Sequence, residues 1–194
     1  MNAVEGRWNT QQRNRGERLA RARAALGAAL DGKVVQSTHI VELLHQVLEP
    51  GDRVCLEGNN QKQADFLGKA LTRLDPARVN GLHMLLSVLS LPEHLDVFDK
   101  GIASKLDFSF SGPQAGRLAK LAQARKLNIG AIHTYLELFA RYFVDLTPRV
   151  ALVAAEMADR EGNLYTGPNT EDTPAIVEAT AFKSGIVFAP GNQV

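Results

Sequence analysis

Apolar residues gather in six short runs along the chain, and between successive runs they recur instead at a spacing of three or four. Residues 53–56, 83–90, 105–110, 129–132, 150–155 and 186–189 read as strands. Leu106, Phe108 and Phe110 alternate with polar neighbours, whereas the Met-Leu-Leu content of 83–90 fits strand or helix. A helix rich in Arg, Ala and Leu covers 12–30, stopped by Asp31 and Gly32. Ser37 or Thr38 caps the next, whose buried face carries Ile40, Val41, Leu44, Val47 and Leu48. After the first strand, Phe66, Leu67, Ala70, Leu71 and Leu74 repeat along one helical face, with Asn60 as cap and Gln63 in the capping-box position. A short helix runs from Pro92 to near Gly101, another passes through Leu118, Leu121 and Ala122, and a third covers 135–144. Residues 159–165 read as a turn or hairpin. Thr173 caps the last helix, Pro174 opens it and Gly185 ends it. Strands alternating with helices predict an α/β fold: a mostly parallel sheet with helices on both faces.

Charge refines this picture. The chain has 194 residues and a formal net charge of +1, which argues against a dedicated nucleic-acid binder. Residues 1–23 nevertheless hold six arginines against Glu5 and Glu17. Residues 1–32 are therefore read as a basic N-terminal helix, suited to an acidic partner, and 33–194 as the α/β domain. Cys55 is the single cysteine, which excludes an internal disulfide and fits an inert thiol in a reducing compartment. No apolar run approaches the roughly 20 residues of a membrane span, and no signal-peptide pattern opens the chain. The cytoplasm, with no membrane association, is the expected location. The chain stops a few residues after its sixth strand, which predicts an N-terminal portion of a longer subunit.

In a parallel sheet the strand ends converge on one edge. That places residues 57–61, 111–114, 133–135 and 156–169 together, a set rich in amides, hydroxyls and glycines that suits carboxylates and thioester carbonyls. Gly58, Asn59, Asn60 and Gln61 form a polar loop feeding a helix N-terminus. Ser111 and Gly112 offer backbone N–H groups, and His133 at a strand end is an acid, a base or a structural hydrogen-bonding group. Asn169 completes the substrate- or thioester-binding set. Glu57 and Glu156 each follow a strand and are candidate carboxylate nucleophiles or bases. The five histidines lack metal-ligand spacing, so no metal is expected. No P-loop, G-x-S-x-G or G-x-G-x-x-G motif is present. The aromatic run Tyr135, Phe139, Tyr142 and Phe143 reads as core or interface.

Four strings carry a family resemblance: L-E-G-N-N-Q-K-Q-A-D-F-L (56–67), L-D-F-S-F-S-G-P-Q (106–114), I-G-A-I-H-T-Y-L-E-L-F-A-R-Y-F-V-D-L-T-P (129–148) and G-N-L-Y-T-G-P-N-T-E-D-T-P (162–174). From about residue 8 to 189 the chain resembles the malonate decarboxylase α-subunit family, within the CoA-transferase-like group. The resemblance implies exchange of acetate for malonate on a carrier-protein thiol. That thiol belongs to a CoA-derived, phosphopantetheine-type arm on a separate acyl-carrier subunit, so this chain itself would bind no cofactor. Implied partners are the carrier, the other decarboxylase subunits and malonate or acetate, with a homodimer as a further assembly. The resemblance also implies a second α/β half beyond these residues, where the nucleophilic glutamate and a glycine-rich loop of CoA transferases would lie. A carrier-docking module, and a citrate-lyase-type or ordinary CoA transferase, are the alternatives.

Overall fold

A computed structural model describes residues 3–59, 62–159 and 161–193. Six strands, β1 (Arg53–Leu56), β2 (Leu82–Val88), β3 (Ala103–Phe110), β4 (Asn128–Ile132), β5 (Val150–Leu152) and β6 (Ile186–Phe188), form one sheet in the order β6-β5-β1-β2-β3-β4. Every neighbouring pair is parallel. Each apolar run predicted as a strand has become one, including the ambiguous second run. Its residues from Met84 to Val88 are all buried, so both faces of that central strand are covered.

The helices are α1 (Ala3–Leu26), α2 (Ile40–Val47), α3 (Asp65–Leu71), α4 (Glu93–Asp99), α5 (Ala115–Gln123), α6 (Tyr135–Val144) and α7 (Thr173–Phe182). Successive strand side chains point to opposite faces. Val54, Leu56, Met84, Leu86, Leu106 and Phe108 therefore meet α2 to α5 on one face, with α1 packed outside α2. Cys55, Leu85, Ala151 and Val153 meet Leu138 and Tyr142 of α6 and Ile176 and Ala179 of α7 on the other. Cys55 lies wholly buried against the Tyr142 hydroxyl, and burial pushes its thiol pKa up, so the expected inert thiol is what the fold contains.

The two helical layers differ outward. Charged residues such as Lys69, Asp99 and Arg117 line the outside of the first layer and pair there. The second exposes Leu136, Phe143, Val144 and Phe182. Of the aromatic run, Tyr142 is core, Phe139 is half-buried, and Tyr135 and Phe143 are exposed.

Several local expectations are corrected. The first helix ends at Leu26 rather than at 30, because Gly27 adopts a left-handed φ of 51°. Leu30–Asp31 and Val34–Val35 then pair as a small antiparallel hairpin. Residues 37–39 form a 3-10 turn, so neither Ser37 nor Thr38 caps α2. Helix α3 starts at Asp65, which removes Gln63 from the capping-box position. Asn60 and Gln61, including the cap expected at Asn60, lie outside the described residues. Phe66 is 37% exposed because the short α3 presents Leu67, Ala70 and Leu71 to the core instead. Thr173 is the first residue of α7 and Asp172 precedes it as the N-cap residue, without a side-chain capping bond. Where 159–165 read as a turn or hairpin, Met157–Ala158 pairs antiparallel with Leu164–Tyr165, and Asn192–Gln193 adds a third, parallel strand.

Candidate functional site

From β1 the chain steps outward through β2, β3 and β4, then returns across the sheet to build β5 and β6 on the other side. The switch in direction falls between β1 and β5, and open α/β sheets bind ligands outside the carboxyl ends of strands at such a point. Glu57 follows β1 there and is fully buried. Its Oε2 accepts the Ala154 N–H at 2.6 Å, Oε1 accepts the Thr173 hydroxyl, and Lys62 Nζ lies 3.4 Å from Oε1 while also donating to Thr173. Each Glu57 oxygen is therefore occupied by the protein itself, which makes it a structural carboxylate rather than a free nucleophile.

The loop after Glu57 is held tightly. Gly58 bridges Gln63, the Asn59 N–H donates to the Lys62 carbonyl at 3.0 Å, and the Gln63 amide donates to the Asn59 carbonyl at 2.9 Å. A Cβ on Gly58 would stand 2.6 Å from the His94 ring, so only glycine allows that packing. Asp172 is 2% exposed beside this loop. Asn59 bonds its carboxyl, yet among the described residues Oδ2 has no hydrogen-bond partner. Burial, then the charges of Glu57 and Glu171, push its pKa up to about 6 despite Asn59 and Lys62.

The sheet register extends this polar rim. Leu86 pairs with Phe108 and Val88 with Phe110, so Ser87 stands beside Ser109 on the α6–α7 face. Both hydroxyls are buried and unbonded. Glu57 and His133 continue the row on the flanking strands.

His133, from the end of β4, turns instead to a buried carboxylate. Its Nε2 lies 2.8 Å from Asp107 Oδ1, and His83 Nε2 lies 2.6 Å from Oδ2. Its Nδ1 stands 3.2 Å from Glu137 Oε1. Burial keeps the pKa of His83 below the ordinary histidine value although Asp107 opposes this.

The residues singled out in the sequence thus separate. Gly58 and Asn59 lie at the switch point, and Asn169 lies in the loop that leads to Asp172. Ser111 and Gly112 follow β3, with Gly112 at a φ of 50° packed on the Leu89 carbonyl. His133 is three strands from β1, roughly 14 Å at ~4.8 Å per strand. Glu156 is exposed beside Gly167. Sequence reasoning passed over Lys62, Asp172 and Thr173 as site residues. The E-D-T-P string (171–174), at the helix start in the last crossover, was the signal for Asp172 and Thr173. Two shallow clefts lie at the opposite edge, lined by Gln11, Arg53, Arg149 and Lys183 and by Arg15, Arg18 and Asp52. Arg18 there is tied to Asp52 and Glu49, at 2.5 and 2.7 Å, and Arg21 to Glu49 at 2.7 Å, so part of the basic helix is neutralised by its own body. Among the described residues no His, Cys, Asp or Glu group is arranged to hold a metal, and no helix is long and apolar enough to cross a membrane.

Known proteins resemble this chain in sequence and fold. An acetyl-S-ACP:malonate ACP transferase from Malonomonas rubra is 59% identical over 164 residues, 84% of this chain and 30% of that protein. The solved Pseudomonas malonate decarboxylase hetero-tetramer in complex with malonate contains a chain 55% identical, with a TM-score of 0.88, covering 94% of this chain and 33% of its own length. A malonate decarboxylase α subunit from Acinetobacter baumannii is 48% identical with a TM-score of 0.91, covering 96% and 34%. The chain therefore spans about a third of the length of these relatives. Residues 7–194 match the family described as malonate decarboxylase, alpha subunit, transporter, and the chain belongs to that family.

Proposed function

We propose that this chain is an acyl-carrier transferase unit of a malonate decarboxylase. It would exchange acetate for malonate on a carrier thiol: acetyl-S-carrier plus malonate gives malonyl-S-carrier plus acetate. The observation that carries this reading is the 59% identity to a transferase of that name over 84% of the chain. The rim of amides, hydroxyls and carboxyls at the switch point supports it, because a thioester carbonyl and a carboxylate both need oriented donors. In this reading residues 33–194 form the transferase unit, and the basic segment 1–32 contributes α1, packed on α2. The thiol arm, of phosphopantetheine type, arrives on a separate carrier subunit at the loops carrying Gly58, Asn59, Ser111, Gly112 and Asn169.

The test incubates an assembly containing the chain with acetyl-loaded carrier and 13C-malonate. Labelled malonyl-carrier and unlabelled acetate are expected in equal amounts. An assembly that releases no acetate would remove the reading. A second reading, an assembly module, is favoured by Leu136, Phe143 and Val144 exposed on α6. Stable binding of partner subunits or carrier without any acyl exchange would select it.

A further inference from the structure

Buried polar atoms without partners are rare in folded proteins, and each one asks for an explanation. Among the described residues they are Ser87 Oγ, Ser109 Oγ, His94 Nε2, His133 Nδ1 and Asp172 Oδ2, and Asp172 is the one that stands with Glu57 and Asn59 at the switch point. Around Asp172 the other polar groups are already committed. Glu57, Lys62 and Thr173 satisfy one another, and Ala154 completes Glu57. Asn59 bonds the Asp172 carboxyl, which leaves Oδ2 as the open valence of the cluster. Asp172 also occupies the N-cap position of α7 without capping it, so its side chain has been diverted from the ordinary use of that position.

We propose that Asp172 is a ligand-binding residue, donating a hydrogen bond from protonated Oδ2 to a carboxylate of a small organic acid held at the switch point. The choice of malonate as that acid rests on the transferase reading, whereas the carboxylate class rests on the site. An ionised Asp172 would repel such a ligand, and several neighbours act against ionisation. Glu57 at the end of β1 and Glu171 in the preceding loop raise its pKa after burial does. Lys62 on the 58–63 loop opposes them. Tyr135 of α6, and Cys55 and Tyr142 beneath, are further titratable groups that feel its charge. The N-terminus of α7, 10 residues long, adds a favourable field for the incoming anion.

The experiment measures malonate affinity by calorimetry at pH 5 and pH 7.5 for the wild-type chain, Asp172→Asn and Asp172→Ala. Asparagine keeps a donor at the Oδ2 position and cannot ionise, and the ratio of wild type to Asp172→Asn cancels malonate's own titration. The two proteins should bind within about threefold of each other at pH 5. At pH 7.5 wild type should fall more than tenfold behind Asp172→Asn, as linkage to one proton requires. Asp172→Ala should be weak at both. A ratio that does not change with pH, loss of binding in Asp172→Asn, or no malonate binding by any of the three overturns the proposal. Carboxyl 13C NMR gives a second readout: malonate should raise the titration midpoint of the Asp172 carboxyl, and an unmoved midpoint counts against it. If binding behaves as expected while acyl exchange fails, the carboxylate site stands and the transferase reading does not.

Discussion

The Glu57 carboxylate accepts the backbone N–H of Ala154 at 2.6 Å, joining the ends of β1 and β5 across the point where the sheet reverses direction. With Lys62 and Thr173 on its other oxygen, this buried group holds the rim in one arrangement. Glu57→Ala leaves Lys62 without its counter-ion and the Ala154 N–H without its acceptor, and breaking a buried pair costs about 3–5 kcal/mol. Urea denaturation should show that loss, with Glu57→Gln losing less. An alanine variant as stable as wild type would show that the bond contributes nothing.

Gly130 sits at a bulge in β4, where Leu106 pairs with Ile129 but Asp107 pairs with Ala131. A Cβ there would lie 2.0 Å from Asp107 Oδ2. Gly130→Ala must displace the carboxylate from His83 and His133, and overpacking of this kind costs about 1–3 kcal/mol. Imidazole NMR signals of both histidines should move together with the stability loss. Unmoved signals would contradict the shared carboxylate.

His94 is 1% exposed, and burial lowers its pKa from 6.5 to about 4. A histidine buried neutral contributes stability that is complete above pH 6.5 and is lost as pH falls towards 4. The span corresponds to about 3 kcal/mol. The stability difference between wild type and His94→Gln should shrink by that order between pH 7 and pH 4. A difference that is constant across the window rules the assignment out.

For Asp172 the sign is reversed. Its folded pKa lies above its unfolded value, so its stabilising contribution is complete below about 3.8 and is lost as pH rises through about 6. At pH 7.5 the ionised carboxyl should cost about 2–3 kcal/mol. Asp172→Asn should therefore be more stable than wild type at pH 7.5 and gain nothing at pH 4. Denaturation midpoints at the two values decide it. A group that weakens the fold at neutral pH while facing a ligand follows the usual trade of stability for function.

Leu136 and Val144 are 81% and 75% exposed on the outer face of α6. Leu136→Lys with Val144→Lys should cut binding of a hydrophobic dye while changing stability by no more than about 0.5 kcal/mol. Unchanged dye fluorescence would mean that this face is not the accessible apolar patch.

Much of the fold was legible from the chain. Arg53 to Leu56 read as a strand and is one, and Tyr135 to Val144 read as a helix and is one, because periodicity records which side of an element is buried. The site was only half legible. Gly58 and Asn59, named by the strand-end rule, lie at the switch point, and Asn169 lies in the loop leading to Asp172. His133 obeyed the same rule but stands across the sheet, since the rule names an edge and not a position along it. Lys62 and Thr173 were not read as site residues because a lysine in a polar loop and a threonine capping a helix look ordinary in isolation.

By itself, then, the sequence determined the succession of strands and helices, the parallel sheet and the family, all of which are written in local spacing and in contiguous strings. Tertiary structure alone decided the chemistry of the rim. Strand order placed Glu57 beside Thr173 across 116 residues of chain, and Asp107 between His83 and His133 across 24 and 26. Those contacts depend on which strands become neighbours. Burial then pushed the pKa of Asp172 up and that of His83 down, in each case by more than any single neighbouring charge does.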